Sequence, residues 1–305
     1  MRILVVGSNG QLGTELRRCL EAGCSEIGAI PPCYFGAEAD YVDGDAVDIS
    51  DQSSVDAWFS DHEPYDLIIN CAAMTNVDGC EADEAGALRV NALGAMHLAQ
   101  KAQESGAKFV QVSTDYVFSG ELRDRPLTEE DAVCPISSYG RSKLAGEILA
   151  ADACDGTFVV RTAWLYGRRG RNFVKTMARL ARENGKISVV SDQVGCPTSA
   201  NDLAHEILRL AATDGYGVYH CVNRGSCSWF DFASRAVDAL GIPCKKEPIS
   251  TEEYKRRFPA SAPRPQYSVL ENARFDRTIG SEMREWQDAL DSYLSAMSQE
   301  EGLTE

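Results

Sequence analysis

Residues 2–13 read Arg2-Ile-Leu-Val-Val-Gly7-Ser-Asn-Gly10-Gln-Leu-Gly13. A short apolar run breaks at a glycine and gives way to a helical pattern carried by Leu12, Leu16, Cys19 and Leu20. Glycines at Gly7, Gly10 and Gly13 permit a tight strand-to-helix turn, close approach of backbone N–H groups to a pyrophosphate, and close helix–strand packing. A plain strand–helix turn also favours glycine. The position of this triplet, after the first strand and at the head of the first helix, is what favours dinucleotide binding.

Working outward, the apolar segment near Ile27–Ile30 is read as the second strand and Asp66–Asn70 as the third. A helix over about 85–104 follows, then a strand at Lys108–Ser113, a helix around 140–152 and a strand at Thr157–Arg161. Strands alternating with helical stretches predict βαβ units, and near-continuous apolar strands predict a sheet covered on both faces. The fold class expected is α/β: a Rossmann-type doubly wound parallel sheet with a smaller C-terminal α/β part. Beyond about residue 165 the pattern is less regular. Helices are expected near 171–184 and 201–212, strands at Ile187–Val190 and Gly217–Val222, a Pro-rich stretch at Phe258–Pro265, and a last helix carrying Trp286, Leu290 and Leu294. The predicted division is a dinucleotide-binding part at 1–165, rejoined by a segment near 200–225, and a substrate part made mainly of 166–305. Gln299–Glu305 is expected to be a loose tail.

The chain has 305 residues and a formal net charge of −16. Such an acidic balance weighs against a nucleic-acid binder or a polybasic membrane-surface protein. No apolar run approaches the roughly 20 residues that span a bilayer, and no basic segment leads into an apolar one at the start. The 11 cysteines contain no CxxC pair, which predicts reduced thiols and a cytoplasmic setting. An anionic substrate would need a local basic patch. Arg168, Arg169, Arg171, Lys175, Arg179 and Arg182 are candidates, with Arg264 in the Pro-rich loop.

Two further segments carry chemistry. Tyr139-Gly-Arg-Ser-Lys143 sits at the head of a helix, where a spacing of four places both side chains on one face. A phenol is a poor proton exchanger at neutral pH, and an ammonium one turn away favours the phenolate. Ser113-Thr-Asp-Tyr-Val-Phe-Ser-Gly120 lies at the carboxyl end of a strand, where open α/β sheets bind ligands, and a hydroxyl there can meet a substrate carbonyl. Read separately, either segment is equally an ordinary helix face or a Ser/Thr-rich turn.

Taken in order, the segments are more specific: Gly7–Gly13; Asn70-Cys-Ala-Ala-Met-Thr75 with Val77-Asp78 and Glu81; Ser113–Gly120; Tyr139–Glu147; Arg161–Gly167 with Asn172-Phe173; Asp192–Thr198; and Arg264-Pro265 with Ser268. In this the chain resembles the dTDP-4-dehydrorhamnose reductases, of the extended short-chain dehydrogenase/reductase superfamily. The resemblance implies reduction of the 4-keto group of a dTDP-linked 6-deoxy-hexulose by NADPH or NADH, giving dTDP-L-rhamnose. It implies that Thr114, Tyr139 and Lys143 are catalytic: Thr114 on the keto oxygen, Tyr139 as proton donor, Lys143 lowering its pKa and holding the nicotinamide ribose. Gly10, Gln11 and Leu12 would cradle the pyrophosphate, with Gly7 and Gly13 in the same loop. Asp48 and Ile49 would flank the adenine, and Ala72, Ala73, Met74 and Thr75 would line the nicotinamide side. Asp115 and Trp164 would contact the sugar.

Two departures from the family pattern stand out. At the expected end of the second strand, Ala29-Ile30-Pro31 lacks the acidic residue that would favour NAD, which tips the expectation toward NADPH. Some relatives hold Mg²⁺ among interface carboxylates. Glu15 matches one such position but Asn201 stands where another carboxylate is expected, so no metal ligand set is assigned and the state is monomer or homodimer. Two other readings compete: a non-catalytic NADP-binding regulatory subunit of the type found with methionine adenosyltransferase, and a nucleotide-sugar epimerase or dehydratase. The complete Thr114, Tyr139 and Lys143 set favours the reductase.

Overall fold

The computed structural model describes residues 1–302, with side chains through Met297. In chain order the first half comprises β1 (Arg2–Val6), α1 (Gln11–Ala22), β2 (Glu38–Val42), α2 (Gln52–Asp61), β3 (Leu67–Asn70), α3 (Val77–Ala82), α4 (Glu84–Leu88), α5 (Gly94–Ser105), β4 (Lys108–Thr114), α6 (Ser138–Ala153) and β5 (Thr157–Thr162). There follow β6 (Leu165–Tyr166), α7 (Phe173–Asn184), β7 (Lys186–Val190), β8 (Val194–Gly195), β9 (Thr198–Ser199), α8 (Ala200–Ala211) and β10 (Gly217–His220). The chain continues through β11 (Cys227–Ser228), α9 (Trp229–Ala239), β12 (Lys245–Ile249), α10 (Thr251–Arg257), α11 (Ala273–Thr278) and α12 (Trp286–Gly302).

Six of the strands form one sheet in the order β10-β5-β4-β3-β1-β2, with every pairing parallel. Side-chain alternation explains the continuous apolar strands. Ile3, Val5, Leu67, Ile69 and Val110 enter a core with Leu16 of α1 and Leu203 and Ile207 of α8. Leu4, Val6, Ile68 and Phe109 enter a second core with Ala95 and Leu98 of α5. The expected doubly wound α/β class is what the chain adopts. Shorter pairings follow the sheet: β7 with β12 and β6 with β9 in parallel, and β8 with β11 antiparallel.

Three expectations change. The second strand is not Ile27–Ile30 but Glu38–Val42; the former is a loop holding an isolated Cys24–Ala29 bridge, and Ile30 is buried as a core plug. As the edge strand, β2 is largely half-buried and polar, so it lacks the apolar signal of its neighbours. The single helix expected over 85–104 is two helices joined by a π turn at Arg89–Leu93, which brings the amide of Asn91 into the interior. The loose tail expected from residue 299 is replaced by α12 as far as Gly302, and Leu303–Glu305 lie outside the described residues. All 11 cysteines are free thiols, and no helix among the described residues is long and apolar enough to cross a membrane.

Candidate active site

The carboxyl ends of β1, β4 and β5 open on a cleft of about 680 Å³. Gly7, Gly10, Gln11, Leu12 and Gly13 line it on one side, with Ala72, Ala73 and Thr75 beyond β3. Thr114, Asp115, Tyr139, Lys143 and Trp164 line it on the other. The structure thus brings together most of the residues singled out from the sequence. Met74 lies beside the cleft with its backbone N–H given to Asn91 Oδ1 at 2.8 Å and its carbonyl accepting from Asn91 Nδ2 at 3.1 Å. Asp48 and Ile49 are outside the lining: Asp48 is exposed and accepts from Ser50, while Ile49 is buried with its carbonyl near His97 Nδ1 at 2.8 Å.

The first turn fits a dinucleotide. A side chain at Gly7, whose φ is +78°, would place its Cβ 2.6 Å from the Ala72 backbone nitrogen. Gly10 takes the N-cap position of α1 and supplies no side-chain cap, the first turn holds no acidic residue, and Gln11 Oε1 is buried without a partner. An uncapped helix N-terminus beside bare backbone suits a pyrophosphate.

A residue missed in the sequence sits beside that loop. Because β2 ends at Val42, the residue after it is Asp43, which lines the cleft with Gly44. Its carboxylate accepts from Ser8 Oγ at 2.7 Å and from the Asn9 backbone N–H at 3.0 Å. An acidic residue therefore does follow the second strand, and Ala29-Ile30-Pro31 is not the strand end on which a cofactor preference can be read.

Helix α6 presents the tyrosine and lysine. Ser137 caps it by accepting from the Gly140 backbone N–H, and Glu81 accepts from both the backbone and hydroxyl of Ser138. Only glycine fits at 140, since a Cβ there would lie 2.2 Å from the Tyr116 carbonyl oxygen. One turn beyond Lys143, Glu147 forms a bidentate ion pair with Arg161 of β5 at 2.7 and 2.9 Å and accepts from Ser113. Lys143 donates to the Val112 carbonyl at 2.7 Å, and burial lowers its pKa to about 8. Burial raises the Tyr139 phenol above its usual range, opposed by its hydrogen bond with Thr114. This departs from the expectation of a lysine-depressed tyrosine. Burial dominates at Tyr139, which holds its proton, and Lys143 is turned toward the Val112 carbonyl of β4.

The far wall is aromatic. Trp164 has a φ of +47°, strained for a bulky side chain, and stacks on Trp229 with centroids 3.5 Å apart. Trp229 carries no motif; its contribution follows from packing alone. The basic patch is mostly consumed: Arg168 pairs with Glu26, Arg179 with Glu183, and Lys175 donates to the Arg168 carbonyl. Of the cations considered, Arg171 and Arg264 line the cleft. Arg264 lies 3.5 Å from Asp78.

A divalent cation does not fit around Glu15. Its buried carboxylate accepts from Arg18 Nη1 at 2.9 Å and Asn201 Nδ2 at 2.8 Å, and Arg168 stands within 4.0 Å. Donors occupy the places that metal-binding oxygens would take. Among the described residues no group of three or more acidic, His or Cys side chains could hold a metal.

A glycine cradle facing a Thr, Tyr and Lys across one cleft of a parallel sheet is the arrangement of the short-chain dehydrogenases and reductases. The family model described as "RmlD substrate binding domain" matches residues 1–299. The spore coat polysaccharide biosynthesis protein SpsK of Bacillus subtilis is 37% identical over 97% of this chain and 98% of its own. A crystal structure of a dTDP-4-dehydrorhamnose reductase from Clostridium acetobutylicum superposes with a TM-score of 0.90 at 41% identity, covering 98% of this chain and 100% of that one. Another from Bacillus anthracis, in complex with NADP, gives 0.86 at 38% identity, covering 97% and 99%. The chain belongs to this family of dTDP-4-dehydrorhamnose reductases and is an NAD(P)H-dependent oxidoreductase.

Proposed function

We propose that the protein reduces the 4-keto group of dTDP-4-dehydro-6-deoxy-L-hexulose to dTDP-L-rhamnose, with hydride delivered to C4 and Tyr139 as proton donor. The observation that carries this reading is the convergence of Thr114, Tyr139 and Lys143 at the end of β4, in the cleft that begins at the glycine turn. When bound, the reduced nicotinamide supplies the hydride. The chain's own residues do the rest. Tyr139, neutral because it is buried, gives its proton to the oxygen at C4, and Thr114 hydrogen-bonds the same oxygen. Lys143 holds the nicotinamide ribose and adds positive charge beside the phenol. Asp115 and Trp164 contact the sugar, and Arg171 and Arg264 are placed for its diphosphate.

Residues Gly7–Gly13, Asp48-Ile49 and Ala72–Thr75 form the cofactor side of this reading. It divides the chain into a cofactor part at 1–165, rejoined near 200–225, and a sugar-nucleotide part made mainly of 166–305. NADPH is the expected reduced cofactor, in keeping with the NADP held by the Bacillus anthracis relative, with NADH as the alternative that the Asp43 carboxylate beside the glycine turn would serve. The enzyme acts in the cytoplasm as a monomer or homodimer, without Mg²⁺. Incubating the purified protein with the dTDP-linked 4-keto sugar and each reduced cofactor tests the proposal. Stoichiometric cofactor oxidation with formation of dTDP-L-rhamnose is expected. Net epimerisation without cofactor consumption, or inertness with tight capture of a synthetase, would replace it. Tyr139→Phe should lower turnover roughly 10²–10⁴-fold while leaving cofactor binding intact by fluorescence titration. Equal turnover in the variant would remove Tyr139 from the role.

A further inference from the structure

Trp164 holds a backbone conformation that a bulky side chain avoids, with φ at +47°. Strain of this kind persists only where the surroundings over-determine it, and its neighbours supply that constraint. The Trp164 carbonyl accepts from the Thr198 backbone N–H at 3.3 Å. Gly195 lies so close that a Cβ there would stand 2.5 Å from Trp164 Cε2 and 2.7 Å from Nε1. Trp229 covers the indole with ring centroids 3.5 Å apart and planes 8° from parallel. A Cβ so near Cε2 would collide with a ring stacked on the same side, so Gly195 and Trp229 grip the indole from different sides. The antiparallel pairing of β8 with β11 brings the two together, since Cys227 stands opposite Gly195 and Ser228 opposite Val194.

Trp229 is anchored from its own side of the stack. It is the first residue of α9, and the N-cap Ser228 exchanges hydrogen bonds with Asp231. Ser228 Oγ accepts from the Asp231 backbone N–H at 3.1 Å, and the Asp231 carboxylate accepts from the Ser228 hydroxyl at 2.6 Å and its backbone N–H at 3.2 Å. The Trp229 ring packs on Phe173 of α7 with centroids 4.4 Å apart. Trp164, by contrast, comes off the main sheet. It follows Thr162 of β5, which pairs in register with Thr114 of β4. Both indoles line the cleft that holds Thr114 and Tyr139. The stack therefore ties the sheet end, where the carbonyl reacts, to the aromatic cluster of α7 and α9. Freedom at this wall becomes misplacement of the reacting carbon, and an error of about 1 Å can cost about a hundredfold in rate.

We propose that Trp229 is a positioning residue for the sugar: its stacked ring fixes the Trp164 indole, and the fixed indole places C4 of the keto-hexose against Thr114 and Tyr139. The inference rests on the keto-reduction proposed above and on the contact of Trp164 with the sugar within it. The test is a double-mutant cycle of Trp164→Ala and Trp229→Leu, read as kcat/KM for the dTDP-linked keto sugar and as KM for the reduced cofactor. Leucine keeps apolar bulk against Phe173 but offers no flat face; Trp229→Met serves in the same cycle should the leucine variant not fold. Trp229→Leu alone should lower kcat/KM for the sugar about tenfold and leave the cofactor KM unchanged, and Trp229→Phe, which restores a flat ring, should recover most of the loss. In the Trp164→Ala background, Trp229→Leu should change kcat/KM less than about twofold, because the residue it acts through is gone. Effects that multiply would make Trp229 a direct sugar contact, and parallel losses for sugar and cofactor would make it a merely structural residue. Either result overturns the inference, as does an unchanged kcat/KM in Trp229→Leu. A crystal structure of Trp229→Leu needs no substrate. A Trp164 indole that has turned, or a Trp164 backbone that has left positive φ, supports the inference; an unmoved Trp164 overturns it. Failure of wild-type turnover overturns the assigned reaction instead, and the crystal structure still decides whether Trp229 holds Trp164.

Discussion

At the residue scale, the site is built from groups that are costly to bury. Lys143 is 3% exposed, and its pKa falls from 10.5 to about 8. Its folded-state pKa is depressed, so the unfolded chain binds the proton more tightly. The cost, about 3 kcal/mol, is fully present below pH 8 and relieved as pH rises toward the unfolded value. Lys143→Met should therefore abolish turnover while raising resistance to urea at pH 7. The net gain is on the order of 1–2 kcal/mol once the lost bond to Val112 is counted, and the gap should close as pH rises above 8. Asp43 gives a second test. Asp43→Ala removes the negative charge beside the glycine turn and should lower the ratio of kcat/KM for NADH over NADPH about tenfold or more. An unchanged ratio would show that Asp43 does not meet the cofactor ribose.

At the element scale, α6 decides whether the site is assembled. Its first turn is pressed on the Tyr116 carbonyl through Gly140, and its middle is tied to β5 through Glu147 and Arg161. Both charged groups of that tie are nearly inaccessible, at 4% and 5% exposed. Arg161→Met leaves Glu147 uncompensated and should cost about 3–5 kcal/mol in urea denaturation, whereas adding Glu147→Leu should recover most of it. The same scale shows what was legible in advance. Strands β1, β3, β4 and β5 were readable because each is covered on both faces, and Tyr139 and Lys143 because helical spacing joins them. The edge strand β2 was not, because half-burial spares it an apolar pattern; Ile30 supplied a false one from a loop. The error concealed Asp43, whose meaning depends on where β2 ends. The π turn at Arg89–Leu93 was equally hidden, since its cause is the long-range fit of Asn91 against Met74 and Ser142.

At the scale of the whole molecule, charge and topology set the terms. A net charge of −16 opposes the approach of an anionic nucleotide sugar, while Arg171 and Arg264 attract it at close range. Salt screens the distant field more than the contact pairs, so kcat/KM for the sugar should rise between about 0.01 M and 0.1 M ionic strength. A steady fall over that range would show that the local cations dominate encounter. Topology carries a separate consequence. The chain leaves the sheet after β5 and returns to its flank only at β10, with residues 163–216 between them. A gene fragment stopped near residue 165 would leave β5, whose six residues are all buried in the whole chain, as an unpaired margin ready to capture another polypeptide. The cofactor half is thus no detachable cassette. Recombination could exchange it with a relative only by cutting the chain in two places and restoring β10 with it.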